Sequence, residues 1–227
     1  MPVNKKKYLE LSEDLKAKNV SLVAVSKTKP VADILELYQM GQKDFGENYV
    51  QELVDKEAQL PKDIHWHFIG HLQTNKVKYI APFAYLVHGV DSFKLLKEID
   101  KQAKKNGRII DVLLQVHIAQ EETKFGFDEN EIYELLHTNT KELHELKNIK
   151  VVGLMGMASF TENGEQVRNE FRKLKNIFDQ YAQHQTFNFE LRILSMGMSG
   201  DYQIAIEEGS TMVRIGSLLF GERHYAK

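Results

Sequence analysis

The chain of 227 residues is 42% hydrophobic and 27% charged, a balance that supplies a sizeable core and excludes a disordered or fibrous protein. Thirty basic residues against thirty-two acidic ones give a formal net charge of -2, so no overall field draws in phosphate backbones or anionic lipid, and neither nucleic acid nor membrane is an expected partner. Cysteine is absent, which removes disulfides, thiolate nucleophiles, iron–sulfur ligation and cysteine-bound zinc together.

The first ten residues are polar and lysine-rich with no apolar run of signal-peptide type, and no stretch is long and apolar enough to span a bilayer. A cytoplasmic location is the expectation. A helix from about Asn4 to Lys18 comes first, with Tyr8, Leu11 and Leu15 on one stripe; it is expected to pack outside the sheet or to cap one end. A short apolar run from Leu22 to Ser26 reads as the first strand, followed by a helix carrying Val31, Ile34, Leu35 and Tyr38. Lys43 to Phe45 is the second strand, and Val50, Leu53 and Val54 mark the helix after it. Strands from Ile64 to Phe68 and from Ala84 to His88 precede a helix with Phe93, Leu96, Ile99 and Ala103. Strands from Ile109 to Val116 and from Lys150 to Met155 precede the long stripe of Val167, Phe171, Leu174, Phe178 and Tyr181. Leu191 to Leu194 and Met212 to Ile215 complete eight candidates.

Repeated βα units of this number predict a compact (β/α)8 barrel, with a doubly wound open sheet as the alternative arrangement. Four prolines, no low-complexity stretch and no shift in composition mark no boundary, so residues 1–227 are expected to form a single domain. Charge runs such as Lys101 to Lys105 and Lys141 to Lys147 read as solvated helix faces or ends.

In a barrel the functional face lies at the carboxyl ends of the strands, and Lys27 follows the first strand. A lysine there can be a Schiff-base nucleophile toward an aldehyde or simply a solvated loop residue, and the neighbouring Lys29 leaves open which amine reacts. After the second strand, Asn48 either presents its amide to a ligand hydroxyl or caps the next helix; capping is the better local reading. His65 and His67 share one strand face, and His71 lies in the loop beyond. Three imidazoles invite thought of a metal, but no Asp, Glu or Cys accompanies them at ligand spacing, and His71 with Asn75 is better placed to line a polar pocket.

The last two strands end in Ser195-Met196-Gly197-Met198-Ser199-Gly200 and Arg214-Ile215-Gly216-Ser217. Consecutive glycine- and serine-bearing loops at this position suit a phosphate, although the glycines could serve tight turns alone. Arg214, flanked by Val213 and Ile215, needs an acceptor; a structural salt bridge and the ring nitrogen of a pyridoxal cofactor are both open.

Several segments in order resemble one family, the YggS/PROSC-type pyridoxal phosphate homeostasis proteins. They are Ala24-Val25-Ser26-Lys27-Thr28-Lys29-Pro30, Phe45-Gly46-Glu47-Asn48-Tyr49-Val50-Gln51-Glu52, Trp66-His67-Phe68-Ile69-Gly70-His71-Leu72-Gln73-Thr74-Asn75-Lys76, Gly153-Leu154-Met155-Gly156-Met157, Leu194-Ser195-Met196-Gly197-Met198-Ser199 and Gly209-Ser210-Thr211-Met212-Val213-Arg214-Ile215-Gly216. The resemblance runs from about Val20 to Tyr225. It implies a barrel similar to the N-terminal domain of alanine racemase, with pyridoxal 5'-phosphate held as an internal aldimine on Lys27. It further implies Ser199, Gly216 and Ser217 around the phosphate, Arg214 facing the pyridine nitrogen, Asn48 near the phenolic side, and His71 and Met157 lining the pocket. One stretch departs from the family, His117 and Ala119 standing where it more often carries Asn and Ser, while Lys124-Phe125-Gly126 keeps the pattern.

Racemisation needs two positioned acid/base groups, and only Lys27 is evident; in alanine racemases the opposite base is a tyrosine from a further C-terminal domain. A guanidinium at the pyridine nitrogen also weakens the ring as an electron sink. The expectation is a monomeric carrier that stores and delivers the cofactor to recipient apo-enzymes without robust catalysis. A low-activity amino-acid racemase is the alternative.

Overall fold

The computed structural model describes residues 3–120, 125–138, 140–184 and 186–221. Its first half runs α1 (Lys5–Ala17), β1 (Ser21–Val25), α2 (Val31–Gln39), β2 (Asp44–Glu47), α3 (Val50–Gln59), β3 (His65–Phe68), α4 (Val77–Ile80), β4 (Leu86–Val90) and α5 (Phe93–Lys105). The second half continues with β5 (Ile110–Gln115), α6 (Glu129–His137), α7 (Thr140–Glu145), β6 (Ile149–Met155), α8 (Gly164–Tyr181), β7 (Phe189–Ser195), α9 (Tyr202–Glu207), β8 (Met212–Ile215) and α10 (Ser217–Phe220). Among the described residues no helix is long and apolar enough to cross a membrane.

The eight strands are parallel and close in sequence order, β8 returning to β1 with Ser21 opposite Met212 and Ala24 opposite Ile215. The chain is therefore a (β/α)8 barrel, and the open doubly wound alternative is excluded by that closing ladder. Helix starts follow local chemistry. Asn4 accepts from the Lys7 N–H at 3.1 Å to begin α1, Ser92 accepts from Leu95 N–H at 3.3 Å to begin α5, and Asp128 and Glu131 form a reciprocal capping box at α6. Helix α1 packs beside β1 and α10, with Tyr8, Leu11 and Leu15 buried.

Strand alternation divides the apolar residues into two bodies. Outward residues such as Ala24, Phe45, Trp66, Phe68, Val112, Leu154, Leu194 and Ile215 meet helix residues such as Leu53, Ile99, Phe171 and Leu174 in one continuous layer. Inward residues Val23, Leu86, Leu113, Val152, Met155 and Met212 form a smaller cluster inside the barrel. Burying a large side chain in such layers contributes about 1.5–3 kcal/mol each.

Boundaries shift where polarity misleads. The second strand runs to Glu47 rather than ending at Phe45, because Glu47 is buried and finds a cation. The fourth begins two residues later than its apolar run and extends through Gly89 to Val90. A Cβ at Gly89 would lie 2.5 Å from the Gly70 carbonyl oxygen, so glycine here permits neighbouring loops to approach. His117 N–H donates to the Phe127 carbonyl at 2.9 Å, holding the departing stretch onto the chain after it; Lys124 lies outside the described residues.

Candidate functional site

Residues from the carboxyl ends of β1, β2, β3, β6, β7 and β8 converge on a cavity of about 350 Å³. Its walls include Lys27, Lys29, Asn48, Ile69, Met157, Phe160, Met198, Ser199, Arg214, Gly216 and Ser217. Seven of the eight residues expected at the site line this one space; the exception is His71. Its Nδ1 pairs with Asp91 Oδ2 at 3.0 Å and its ring stacks on Phe125 with centroids 4.2 Å apart. His71 lines a neighbouring cavity of about 360 Å³ with Gln73, Lys76 and Tyr79, and Asn48 borders both.

Lys27 sits in a segment held from below. Ser26 Oγ donates to Glu47 Oε1 at 2.6 Å, and the buried Lys56 ammonium donates to Ser26 O at 2.8 Å, Glu47 Oε1 at 2.7 Å and Glu52 Oε1 at 2.6 Å. Glu52 Oε1 also accepts from the Thr28 N–H at 2.6 Å, and Thr28 adopts a φ of +63°, unfavourable for a β-branched residue. The carboxylate of Glu52 thus holds the turn that presents Lys27. Burial pushes the Glu47 carboxyl up from its ordinary value, with Lys56 pulling against it. Neither Glu52 nor Lys56 was visible as a site residue in the sequence, because each reads as a solvated helix position.

Both lysines are half-buried in the cavity wall. Lys29 Nζ donates to the Phe220 carbonyl at 2.7 Å and reaches Gly221 O at 3.4 Å, tying it to the end of α10. Lys27 stands just past the end of β1.

Asn48 does not cap α3. Tyr49 occupies that position with extended backbone, and Asn48 Oδ1 is buried without a hydrogen-bond partner. The helix begins one residue too late for the asparagine to reach it as a cap, which corrects the local reading and leaves a polar atom to be satisfied from the cavities it borders.

Arg214 is buried among neutral acceptors. Its Nη1 donates to Ser195 O at 2.9 Å and Ser195 Oγ at 2.7 Å, and Nη2 donates to Gly156 O at 3.1 Å. These acceptors are carbonyl and hydroxyl oxygens, so among the described residues the structural salt bridge open in the sequence does not form. Burial draws the guanidinium down to about 10, with the charge of Asp201 acting in the opposite direction, and it remains cationic at neutral pH.

The loops after β7 and β8 meet beside it. Ser199 Oγ accepts from Gly216 N–H at 3.2 Å, and Ser217 opens α10, where leading N–H groups have no intrahelical acceptor. Gly197 has φ +96°, and a Cβ there would lie 2.6 Å from Ala205 Cβ, so this turn needs glycine on two grounds. The imidazoles do not converge: His65 and His67 share Asp44 at the amino end of the barrel, away from His71. Among the described residues no group of three or more His, Asp or Glu could hold a metal.

Comparison with known proteins places this arrangement. The alanine racemase N-terminal domain family matches residues 5–224. A pyridoxal phosphate homeostasis protein of Aquifex aeolicus is 48% identical over 205 residues, covering 90% of this chain and 87% of that protein. The human protein of the same name is 40% identical over 226 residues, covering 94% and 80%. Among solved structures, PipY of Synechococcus elongatus PCC7942 with PLP bound superposes with a TM-score of 0.83 at 33% identity, covering 95% of this chain and 99% of that one. An alanine racemase of Clostridium difficile 630, at 16% identity and a TM-score of 0.71, shares the fold over 60% of its length. Extensive identity along nearly the whole chain makes it a member of the pyridoxal phosphate homeostasis protein family, built on the alanine racemase N-terminal domain.

Proposed function

We propose that this protein binds pyridoxal 5'-phosphate in the cavity at the carboxyl ends of the strands and serves intracellular homeostasis of that cofactor, storing and delivering it without robust catalysis. The observation that carries the reading is the meeting of Lys27, Arg214 and the Ser199–Gly216 contact in one cavity of ligand size. The relatives' name and PLP-bound PipY agree with it.

The residues present fit the group. An amine for an aldehyde, a cation for a ring nitrogen, an unsatisfied amide for a hydroxyl and small-residue loops for a phosphate are all in the wall. When bound, the cofactor supplies an aldehyde that condenses with a primary amine, losing water. Lys27 is the amine, as the family resemblance implies, and it stands in the cavity wall just after β1. Arg214 donates toward the ring nitrogen and stays protonated, which keeps that nitrogen unprotonated. Asn48 would lie near the phenolic edge, Met157 would line the pocket, and Ser199, Gly216 and Ser217 would hold the phosphate. His71 would stand outside this cavity, in the neighbouring one that Asn48 also borders.

Carrier function follows from what the wall offers. Its titratable side chains among the described residues are Lys27, Lys29 and Arg214, with no carboxylate, imidazole or phenol among them. Proton removal on one face and return on the other needs two free bases. The protein acts as a monomeric single-domain unit in the cytoplasm, and apo-enzymes that require the cofactor are its recipients.

The test is a visible spectrum after incubation with pyridoxal phosphate and desalting. The expected result is a retained band in the native chain and in Lys29→Ala that is lost in Lys27→Ala; absence of any retained band at saturating cofactor overturns the reading. Transfer to an apo-enzyme from the loaded protein, faster than from an equal concentration of free cofactor, tests delivery. The fold shared with alanine racemase favours the second reading, a weak amino-acid racemase, which requires turnover of a pure enantiomer that Lys27→Ala abolishes.

A further inference from the structure

The barrel interior carries a polar path that the cavity does not use directly. Ser195 Oγ, which accepts from Arg214 Nη1 at 2.7 Å, lies 3.2 Å from His88 Nδ1. His88 Nε2 lies 2.9 Å from His67 Nδ1, and His67 Nε2 lies 2.9 Å from Asp44 Oδ1. Ser195 closes β7 at the cavity end, whereas Asp44 opens β2 at the other.

We propose that Ser195, His88, His67 and Asp44 are positioning residues for Arg214, forming a one-way hydrogen-bond chain that ties the cavity's guanidinium to the opposite end of the barrel. The two ends dictate the direction. A guanidinium only donates and an ionised carboxylate only accepts. Arg214 therefore donates to Ser195 Oγ, and the serine proton goes to a bare His88 Nδ1. His88 must carry its proton on Nε2 and donate to His67 Nδ1, and His67 must donate from Nε2 to Asp44. Both imidazoles are neutral Nε2–H tautomers in this state.

The surroundings favour it. His88 and His67 are fully buried. Desolvation, together with the positive charge of Arg214, holds His88 well below its ordinary value. At Asp44, burial alone would raise the carboxyl, but the hydrogen bonds from His67 and His65 outweigh it and keep it low. Other charged or titratable groups near this end include His65, 3.2 Å from Asp44 and stacked on Tyr85, Tyr85 itself with its ring 5.6 Å from that of His67, and the pairs Lys43–Asp63, Arg192–Asp111 and Lys150–Glu190. Asp201 acts on Arg214 at the cavity end.

A proton added to His67 would reverse the chain. His67 Nδ1–H would face His88 Nε2, moving the His88 proton to Nδ1 and making Ser195 accept from two donors. A change at the Asp44 end thereby reaches the group beside the cavity. Only this consequence for ligand affinity rests on the pyridoxal phosphate reading; the chain itself does not.

The first test needs no ligand. Long-range proton–nitrogen NMR of histidine side chains in the intact protein at pH 7.5 is expected to show His67 and His88 as neutral Nε2–H tautomers. Either ring as the Nδ1–H form or as imidazolium overturns the chain. The second test is a double-mutant cycle on the dissociation constant for pyridoxal phosphate. Asp44→Asn is expected to weaken binding about fivefold when Ser195 is present and to have no further effect in Ser195→Ala. Equal loss in both backgrounds, or no loss in either, overturns the coupling. If a variant does not fold, the tautomers of the native chain still decide; if the native chain binds no pyridoxal phosphate, the functional reading fails while the tautomer result stands.

Discussion

The layer between sheet and helices and the space inside the barrel are built from the same strands by opposite rules. The outer layer is continuous and apolar, with Phe45, Trp66, Phe68 and Phe171 buried in it. The interior is split, Val23, Leu86, Leu113 and Val152 filling one part and Asp44, His67, His88, Ser195 and Arg214 forming a hydrogen-bonded path through the other. Stability is concentrated in the first region and specificity in the second. An apolar layer tolerates any neighbour of the right volume, whereas a buried polar path stands only when every member is satisfied.

The sharpest break is expected in the outer layer. Phe171→Ala removes a fully buried ring from α8 and should cost about 3–5 kcal/mol in urea denaturation, leaving the tautomers of the interior histidines unchanged. Next comes Lys56→Met beneath the Lys27 turn, where an uncompensated Glu47 should cost about 3 kcal/mol at neutral pH. Because the Glu47 carboxyl is already raised in the folded protein, its protonated form is favoured there. Between the ordinary value of 4.5 and the raised one, stability falls as pH rises, so the deficit of Lys56→Met should shrink toward pH 4.5.

His88→Leu should cost about 1–3 kcal/mol at pH 8, since Ser195 and His67 each lose a partner. His88 is depressed from its ordinary 6.5, so the unfolded chain takes up a proton that the folded chain refuses. The corresponding stability is complete above pH 6.5 and drains as pH falls below it; the variant should lack that part of the acid limb in a denaturation series. The smallest effect belongs outside both regions. Lys18→Ala removes an exposed pair with Asp14 at 2.8 Å and should change unfolding free energy by at most ~0.5 kcal/mol.

Much of the outer layer was legible because its residues recur at strand and helix periods: Met212 to Ile215 is the eighth strand in both sequence and structure, and Tyr8, Leu11 and Leu15 are the buried stripe of α1. Legibility failed where polar residues occupy strands. Glu47 looked like a loop residue until Lys56 was found against it, and Asn48 looked like a cap until α3 began one residue later. The sequence shows no clear stripe for α6 and only a solvated charge run for α7, because acidic and lysine-rich surfaces dominate a narrow apolar stripe of Ile132, Leu135, Leu136 and Leu143. In the site, Lys27 and Arg214 were visible from their places at strand ends. His88 was read only as the last residue of an apolar run.

By itself, the amino-acid order determined the alternation of strands and helices, the residues that must face a core, and the loops rich in small residues at the last two strand ends, since these depend on spacings of a few residues. Tertiary structure decided which polar groups meet. Ser195 and His88 are 107 positions apart, Arg214 and Gly156 are 58 apart, and Lys29 and Phe220 are 191 apart. Local periodicity has no term for such pairings. They arise only when eight strands close, because closure brings strands and loops far apart in sequence side by side around one interior.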